Sequence, residues 1–273
     1  MPNSAKLPLL LEPAILEQHL NDPDLLIIDL CNTDRYRHGH IPGAIHVPPA
    51  YTQLGKPPAP GLLPTLDMLE HLFSQLALTP ERHVVVYDDE GGGWAGRFIW
   101  ILDSIGHTRY SVVDGGMIAW EAEGHPLSAD IPELTPTAVS LTLHPEVTAT
   151  LQDVMNTLNQ NDTCIWDARS AMEYHGQKVF AAKGGHIPGA ANFEWTMAMD
   201  PANHYRMKSP EALLKTLTGL GMTTDKQIVT HCHTHHRSGY TYLVAKALGF
   251  AKVKAYAGSW SEWGNHPETP VEI

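Results

Sequence analysis

The residues best suited by type and order to do chemistry run His231-Cys232-His233-Thr234-His235-His236-Arg237-Ser238-Gly239. One cysteine stands among four histidines and one arginine. A thiolate rather than a thiol is the nucleophile. Nearby cations or a helix N-terminus lower a cysteine pKa from about 8.5 toward about 7 or below. The flanks supply that setting. Ile228-Val229-Thr230 reads as a buried strand, and Tyr240 to Gly249 reads as a helix with a glycine stop. Cys232 therefore lies where a strand ends and a helix begins. Successive backbone N–H groups of such a turn converge on one anion. A buried core cysteine is the bland alternative; the histidines and Arg237 favour a reactive thiolate. The same imidazoles and thiol are also metal-ligand types. Adjacent side chains on a tight turn diverge, so no metal site is expected.

The elements that must hold this loop are legible from an internal repeat. His40-Ile41-Pro42-Gly43-Ala44 recurs as His186-Ile187-Pro188-Gly189-Ala190. Leu26–Asp29 corresponds to Cys164–Asp167, and Val84–Tyr87 to Ile228–His231. Ala95-Gly96 corresponds to Ser238-Gly239, while Gly115 and Trp120 correspond to Gly258 and Trp263. Order and spacing are kept, which means two copies of one domain rather than a short-period solenoid. The expected division is 1–126, a Pro-containing polar linker 127–143, and 144–273. In the second copy, strands are expected at 164–167, 191–193, 227–231 and 253–256, with helices at 151–160, 210–219 and 238–248. Such alternation predicts an α/β fold, each copy a parallel sheet flanked by helices. Ligands of open parallel sheets bind beyond the carboxyl ends of the strands, where Cys232 stands.

The repeat also separates the halves chemically. Opposite Cys232 the first copy has Asp88, within Tyr87-Asp88-Asp89-Glu90-Gly91-Gly92-Gly93, and opposite Arg169 it has Cys31. A carboxylate cannot carry sulfur, and three adjacent acids repel an anionic substrate. The first copy is expected to be catalytically inactive. Its glycine run lacks the Gly-Lys-Ser/Thr of a phosphate loop. Asp29 and Asp167 are expected to bond backbone near the HIPGA turns, His40 and His186 to start those turns, and Trp195 to line the cleft. Cys31 and Cys164 are read as inert.

Composition narrows the function classes. The 273 residues carry a formal net charge of -12, which disfavours a general nucleic-acid or anionic-membrane binder. Apolar content of 43% supports real cores. An odd count of 3 cysteines suits a reducing compartment. The stretch from Met1 to Leu20 lacks a basic n-region and a small-residue cleavage site, so no signal peptide, no membrane span and a cytoplasmic location are expected. A monomer is expected, because duplication already supplies a domain interface.

The strand-end cysteine loop, the two HIPGA boxes and the duplicated α/β domain together resemble the tandem-domain rhodaneses, a family of sulfurtransferases. The resemblance covers nearly the whole chain. The Cys-x-Thr-His-His-Arg-Ser-Gly form of the loop resembles a bacterial subgroup of thiosulfate sulfurtransferases. It implies that Cys232 is the nucleophile that holds sulfane sulfur as a persulfide. His233, Thr234, His235, His236 and Arg237 are then the active-site loop, and Arg169 and Arg237 the donor-binding residues. It implies a small-molecule sulfur donor, a nucleophilic acceptor such as cyanide or a thiol, and no cofactor. Two departures are informative. His233 and Thr234 stand where the animal enzymes have Arg and Lys, so loop cations are fewer. Glu173 stands where mercaptopyruvate sulfurtransferases carry an arginine, and the Cys-Gly-Ser-Gly loop of those enzymes is missing. Thiosulfate is thus favoured over 3-mercaptopyruvate, the alternative donor. His-Cys followed by Arg also resembles cysteine phosphatases and arsenate reductases. Those loops need five residues between Cys and Arg to surround a tetrahedral oxyanion; four, His233 to His236, intervene here.

Overall fold

The computed structural model describes residues 7–158 and 160–273. Residues 1–6, the start of the stretch read for a leader, lie outside it, as does residue 159 in the expected helix 151–160. In the first copy the elements are β1 (Leu10–Leu11), α1 (Pro13–His19), β2 (Leu25–Asp29), α2 (Thr33–His38), β3 (Ile45–His46), α3 (Leu66–Gln75), β4 (His83–Tyr87), α4 (Gly93–Ser104), β5 (Tyr110–Val113) and α5 (Gly116–Ala122). The second copy has α6 (Leu151–Thr157), β6 (Thr163–Asp167), α7 (Ala171–Tyr174), β7 (Ala191–Asn192), β8 (Met199–Asp200) and β9 (Arg206–Met207). It continues with α8 (Pro210–Gly219), β10 (Gln227–His231), α9 (Arg237–Ala247), β11 (Lys252–Ala255) and α10 (Ser259–Trp263).

The short apolar runs pair in parallel. The first sheet has the order β1-β5-β4-β2-β3 and the second β11-β10-β6-β7, so four strands of one copy match four of the other in order. The place of β1 is taken in the second copy by one parallel bridge between Thr148 and Ala255. β8 and β9 form a separate antiparallel hairpin. Strand order reverses between β6 and β10, which pair through His231 and Asp167 at their last residues. This switch point is where an open α/β sheet leaves a crevice.

Helix ends follow local chemistry. The Thr150 side chain and Asp153 form a capping box on α6, and Ser170 and Glu173 form one on α7. Ser209 caps α8, with Pro210 in the first turn. α6 stops at Thr157, short of the expected 160, because Leu158 N–H bonds the Met155 carbonyl and tightens the last turn. Each HIPGA turn needs a left-handed glycine: φ is 81° at Gly43 and 73° at Gly189.

Residues alternate between faces along each strand. Leu26, Ile28, Val84 and Val86 of the first sheet share one core cluster with Trp166, Ile228 and Ala255 of the second. Ile27, Val85 and Tyr87 face an outer cluster under α1 and α5, including Leu16 and Trp120. Ile165 and Val229 face the matching cluster with Val154, Trp260 and Trp263. The inner core belongs to both copies at once, and α4 and α9 run through it. A Cβ on Gly96 would lie 2.3 Å from the Gly239 carbonyl oxygen, and one on Gly239 2.6 Å from the Arg97 nitrogen. The backbones of the two equivalent helices touch at equivalent glycines.

Candidate active site

β10 ends at His231, and Cys232 opens the loop that leads to α9. The loop is anchored on three sides. The Cys232 N–H donates to Ser259 Oγ at 3.3 Å, and the Cys232 carbonyl accepts from Trp260 N–H at 3.0 Å. The His233 carbonyl accepts from Ser261 N–H at 3.0 Å. From the first copy, Arg97 on α4 donates to the carbonyls of His235 at 3.2 Å and Thr234 at 3.5 Å. The carbonyls of Cys232, His233, Thr234 and His235 are thus all engaged by donors from outside the loop. The N–H groups of Thr234 and Ser238 and the Ser238 hydroxyl bond toward the sulfur. This is the anion cradle that the strand–turn–helix reading expects.

Cys232 is 1% exposed. Burial opposes its anion, but the Arg237 charge and the bonds from Ser238 and Thr234 outweigh burial and lower the thiol pKa below its ordinary value. Cys31, its chemical opposite, is buried beside Asp29, Asp88 and Asp89, and burial with these charges drives its pKa far upward. Cys164 donates its thiol to the Gly221 carbonyl. All three cysteines are free.

Both expected anion-binding arginines have carboxylate partners. Arg237 grips Glu173 through two bonds of 2.6 and 2.9 Å. Against burial, Arg237 and Ser170 hold the Glu173 carboxyl down at about 2. Glu173 is therefore a neutralised brace for the loop. Arg169 is 1% exposed. It donates to both oxygens of Asp167, at 2.9 Å and 2.5 Å among others, and to the Gly185 carbonyl at 2.9 Å. Its guanidinium lies 4.2 Å from the Trp260 ring centre. Donor contact by Arg169 requires this pair to open. Among the described residues neither strand-end aspartate bonds its HIPGA turn directly: Asp167 accepts from the Arg169 N–H and guanidinium, and Asp29 from the Cys31 N–H and from Tyr87, whose hydroxyl accepts from the Ile41 N–H of the turn.

The loop histidines differ in surroundings. His231 is buried 3.5 Å from Asp167; burial, against the pull of Asp167, lowers its pKa to about 4. His235 is fully buried, has φ of 59°, and places Nδ1 2.7 Å from Ser238 Oγ. His233 is half-buried beside Phe180, its pKa lowered chiefly by burial. His236 lies between Trp94, at 4.2 Å, and Trp195, at 5.5 Å, with Glu90 3.1 Å from Nε2. Trp195 thus stands at the loop, as expected of a cleft residue. Among the described residues no group of three or more His, Cys, Asp or Glu is placed to hold a metal ion.

Sequence reasoning missed Arg97, Ser238 and Ser259. Arg97 is fully buried, and among the described residues it has no carboxylate partner. Its guanidinium also binds the carbonyls of Thr52 and Gly61. Burial lowers its pKa to about 9, opposed by the charge of Cys232. A lone charge inside the apolar run Gly93–Leu102 was the available signal. In the first copy, Asp88 occupies the equivalent cradle itself. It accepts from the N–H groups of Glu90, Gly92 and Ala95 at 3.0, 2.8 and 3.0 Å.

Residues 12–123 and 150–266 each match the rhodanese-like domain, and the chain belongs to the rhodanese family. It is similar over its full length to named members. It is 58% identical over 273 residues, covering 100% of both chains, to the thiosulfate sulfurtransferase of Azotobacter vinelandii. It is 55% identical over 267 residues, covering 98% of each, to that of Pseudomonas aeruginosa. Among solved structures, the 3-mercaptopyruvate sulfurtransferase SseA of Escherichia coli superposes with a TM-score of 0.82 at 26% identity, over 92% of this chain and 98% of that one. EanB bound to ergothioneine shares the fold, with a TM-score of 0.87 at 22% identity, over 97% of this chain and 70% of that one.

Proposed function

We propose that this chain is a thiosulfate sulfurtransferase working by double displacement through Cys232. The observation that carries the reading is a buried cysteine, its pKa lowered, in a cradle of inward N–H groups at the switch point. The Cys232 thiolate attacks the outer sulfur of thiosulfate. The S–S bond breaks and sulfite leaves with the electron pair. The persulfide on Cys232 then yields its terminal sulfur to cyanide or a thiol, and the thiolate returns. The cradle stabilises thiolate and persulfide alike, because it is aimed at the sulfur and needs no reorganisation. Full-length similarity to two thiosulfate sulfurtransferases supports the donor.

With Arg169 and Arg237 paired, donor charge falls mainly on backbone N–H groups and the start of α9. Arg237 acts on Cys232 through space while braced by Glu173. The four-residue loop and the occupied Arg237 fork disfavour phosphate or arsenate. The first copy, with Asp88 in its cradle, serves as support. We further assign the enzyme to the cytoplasm as a monomer, with small-molecule donor and acceptor and no nucleic-acid or membrane partner; the free cysteines fit a reducing compartment. No helix among the described residues is long and apolar enough to cross a membrane.

Intact mass before and after thiosulfate, then after cyanide, tests the reading. A gain of one sulfur, removed by cyanide and missing in Cys232→Ala, is expected. An unchanged mass with a thiol still open to alkylation would exclude thiosulfate as the donor.

A further inference from the structure

The Ser238 hydroxyl can point its proton in only one direction at a time. Cys232 Sγ takes a bond from it on one side, and His235 Nδ1 lies 2.7 Å away on the other. Which way the proton points depends on His235. This ring is fully buried, and its Nε2 has no hydrogen-bond partner among the described residues. Burial first, and the Arg97 charge next, keep it neutral. A neutral imidazole carries one proton, on one nitrogen.

The two tautomers have different consequences. With the proton on Nε2, a buried N–H would lack an acceptor. Nδ1 would then take the Ser238 proton, and the Cys232 anion would lose its hydroxyl donor. With the proton on Nδ1, His235 donates to Ser238 Oγ, and the hydroxyl proton is free for the sulfur. Only a bare lone pair remains at Nε2. The second arrangement satisfies both donors, and hydrogen bonds to a charged acceptor are the strong ones.

From the 2.7 Å contact, the unpartnered Nε2 and the buried ring, we propose that His235 is a positioning residue whose Nδ1–H aims the Ser238 hydroxyl at Cys232. The backbone supports this role. His235 holds φ of 59°, a left-handed conformation uncommon outside glycine. Its carbonyl in that conformation is bonded by Arg97 from α4, and its ring packs edge to face on Trp100 at 4.6 Å. A strained residue held from both sides places its ring to one side of Ser238 only. The proposal deepens the reading of Cys232 as a nucleophile and is independent of which donor loads it.

The test is the pH at which Cys232 ionises, followed by thiolate absorbance and by the rate of alkylation, with no sulfur donor present. The other charged or titratable groups facing the sulfur and the ring are Arg237 on α9, Arg97 on α4, and His231 and His236 at the loop ends. They are left unchanged in every variant. Ser238→Ala is expected to raise the ionisation pH by about one unit. His235→Ala should raise it by a similar amount, and the double variant no further than either single one, because both act through one hydroxyl. His235→Asn keeps an N–H near the Nδ1 position and tolerates left-handed backbone; it should stay close to the parent. A parental ionisation pH in His235→Ala, beside a raised one in Ser238→Ala, would overturn the proposal. So would additive shifts in the double variant. If His235→Ala does not fold, His235→Asn and Ser238→Ala decide: a rise in His235→Asn as large as that in Ser238→Ala would also overturn it. A failure to load sulfur from thiosulfate, with these shifts present, would instead count against the donor assignment alone.

Discussion

At the scale of single residues, the site is a set of buried charges whose partners decide their roles. The resemblance implies that Arg169 meets the donor, and in the structure its N–H groups hold Asp167, which is 0% exposed. Removing one member of a buried pair leaves the other uncompensated, at a cost of about 3–5 kcal/mol. Arg169→Ala is therefore expected to lower the unfolding free energy by that amount, read as a fall in the urea midpoint at unchanged slope. Unchanged stability with a raised KM for thiosulfate would return the arginine to the donor. Cys232 was legible because cysteine, histidine and arginine announce their chemistry in any order. Arg97 was not, because its significance lies in reaching across 137 and 138 positions of sequence to Thr234 and His235. Ser238 was passed over because a hydroxyl becomes significant only when a sulfur stands beside it.

At the scale of elements, the alternation of apolar runs gave β10 and α8 at their observed bounds and α9 to within one residue at each end. Buried parallel strands read clearly because both faces are covered. Even the edge strands β7 and β11 fall within one residue of the expected 191–193 and 253–256, but β1 follows from no such run. β1 is two residues long and owes its place to pairing with β5, which no local pattern encodes. The contact of α4 with α9 was also hidden, though the repeat had aligned Gly96 with Gly239. What mattered was that each meets the other's backbone. Gly239→Ala would place a methyl 2.6 Å from the Arg97 nitrogen and 2.7 Å from the Gly93 oxygen, neither able to rotate away. Overpacking of this kind costs about 1–3 kcal/mol, and the shift should carry the cysteine loop with it. Gly219→Ala on α8, where a Cβ meets nothing within 4 Å, is the control and should be neutral or slightly stabilising. Urea midpoints and Cys232 alkylation rates check both; equal behaviour of the two variants would remove the helix contact as a determinant of the loop.

At the scale of the whole molecule, the buried histidines set a pH response. His231, lowered to about 4, and His235, His107 and His233, all lowered chiefly by burial, stay neutral where an unfolded chain protonates them near about 6.5. Between those values the unfolded state binds more protons, so stability rises with pH and is lost on acidification. Each such histidine contributes up to about 1.4 kcal/mol per pH unit. Glu173 acts lower down: its contribution is present above its ordinary carboxylate range and fades as pH falls toward about 2. The urea midpoint should therefore drop steeply between about pH 6.5 and about pH 4; a flat profile there would mean these rings are protonated in the folded state. The inner core leads to a different consequence. Because one apolar cluster joins both sheets, neither half can keep its buried face without the other. The connecting stretch touches the body at Ser128, Thr137 and Leu141, while Ile131 between them is 73% exposed. It acts as a tether, raising the effective concentration of one half for the other during folding. The assembled pair holds together through its interior and has little need of the tether once docked.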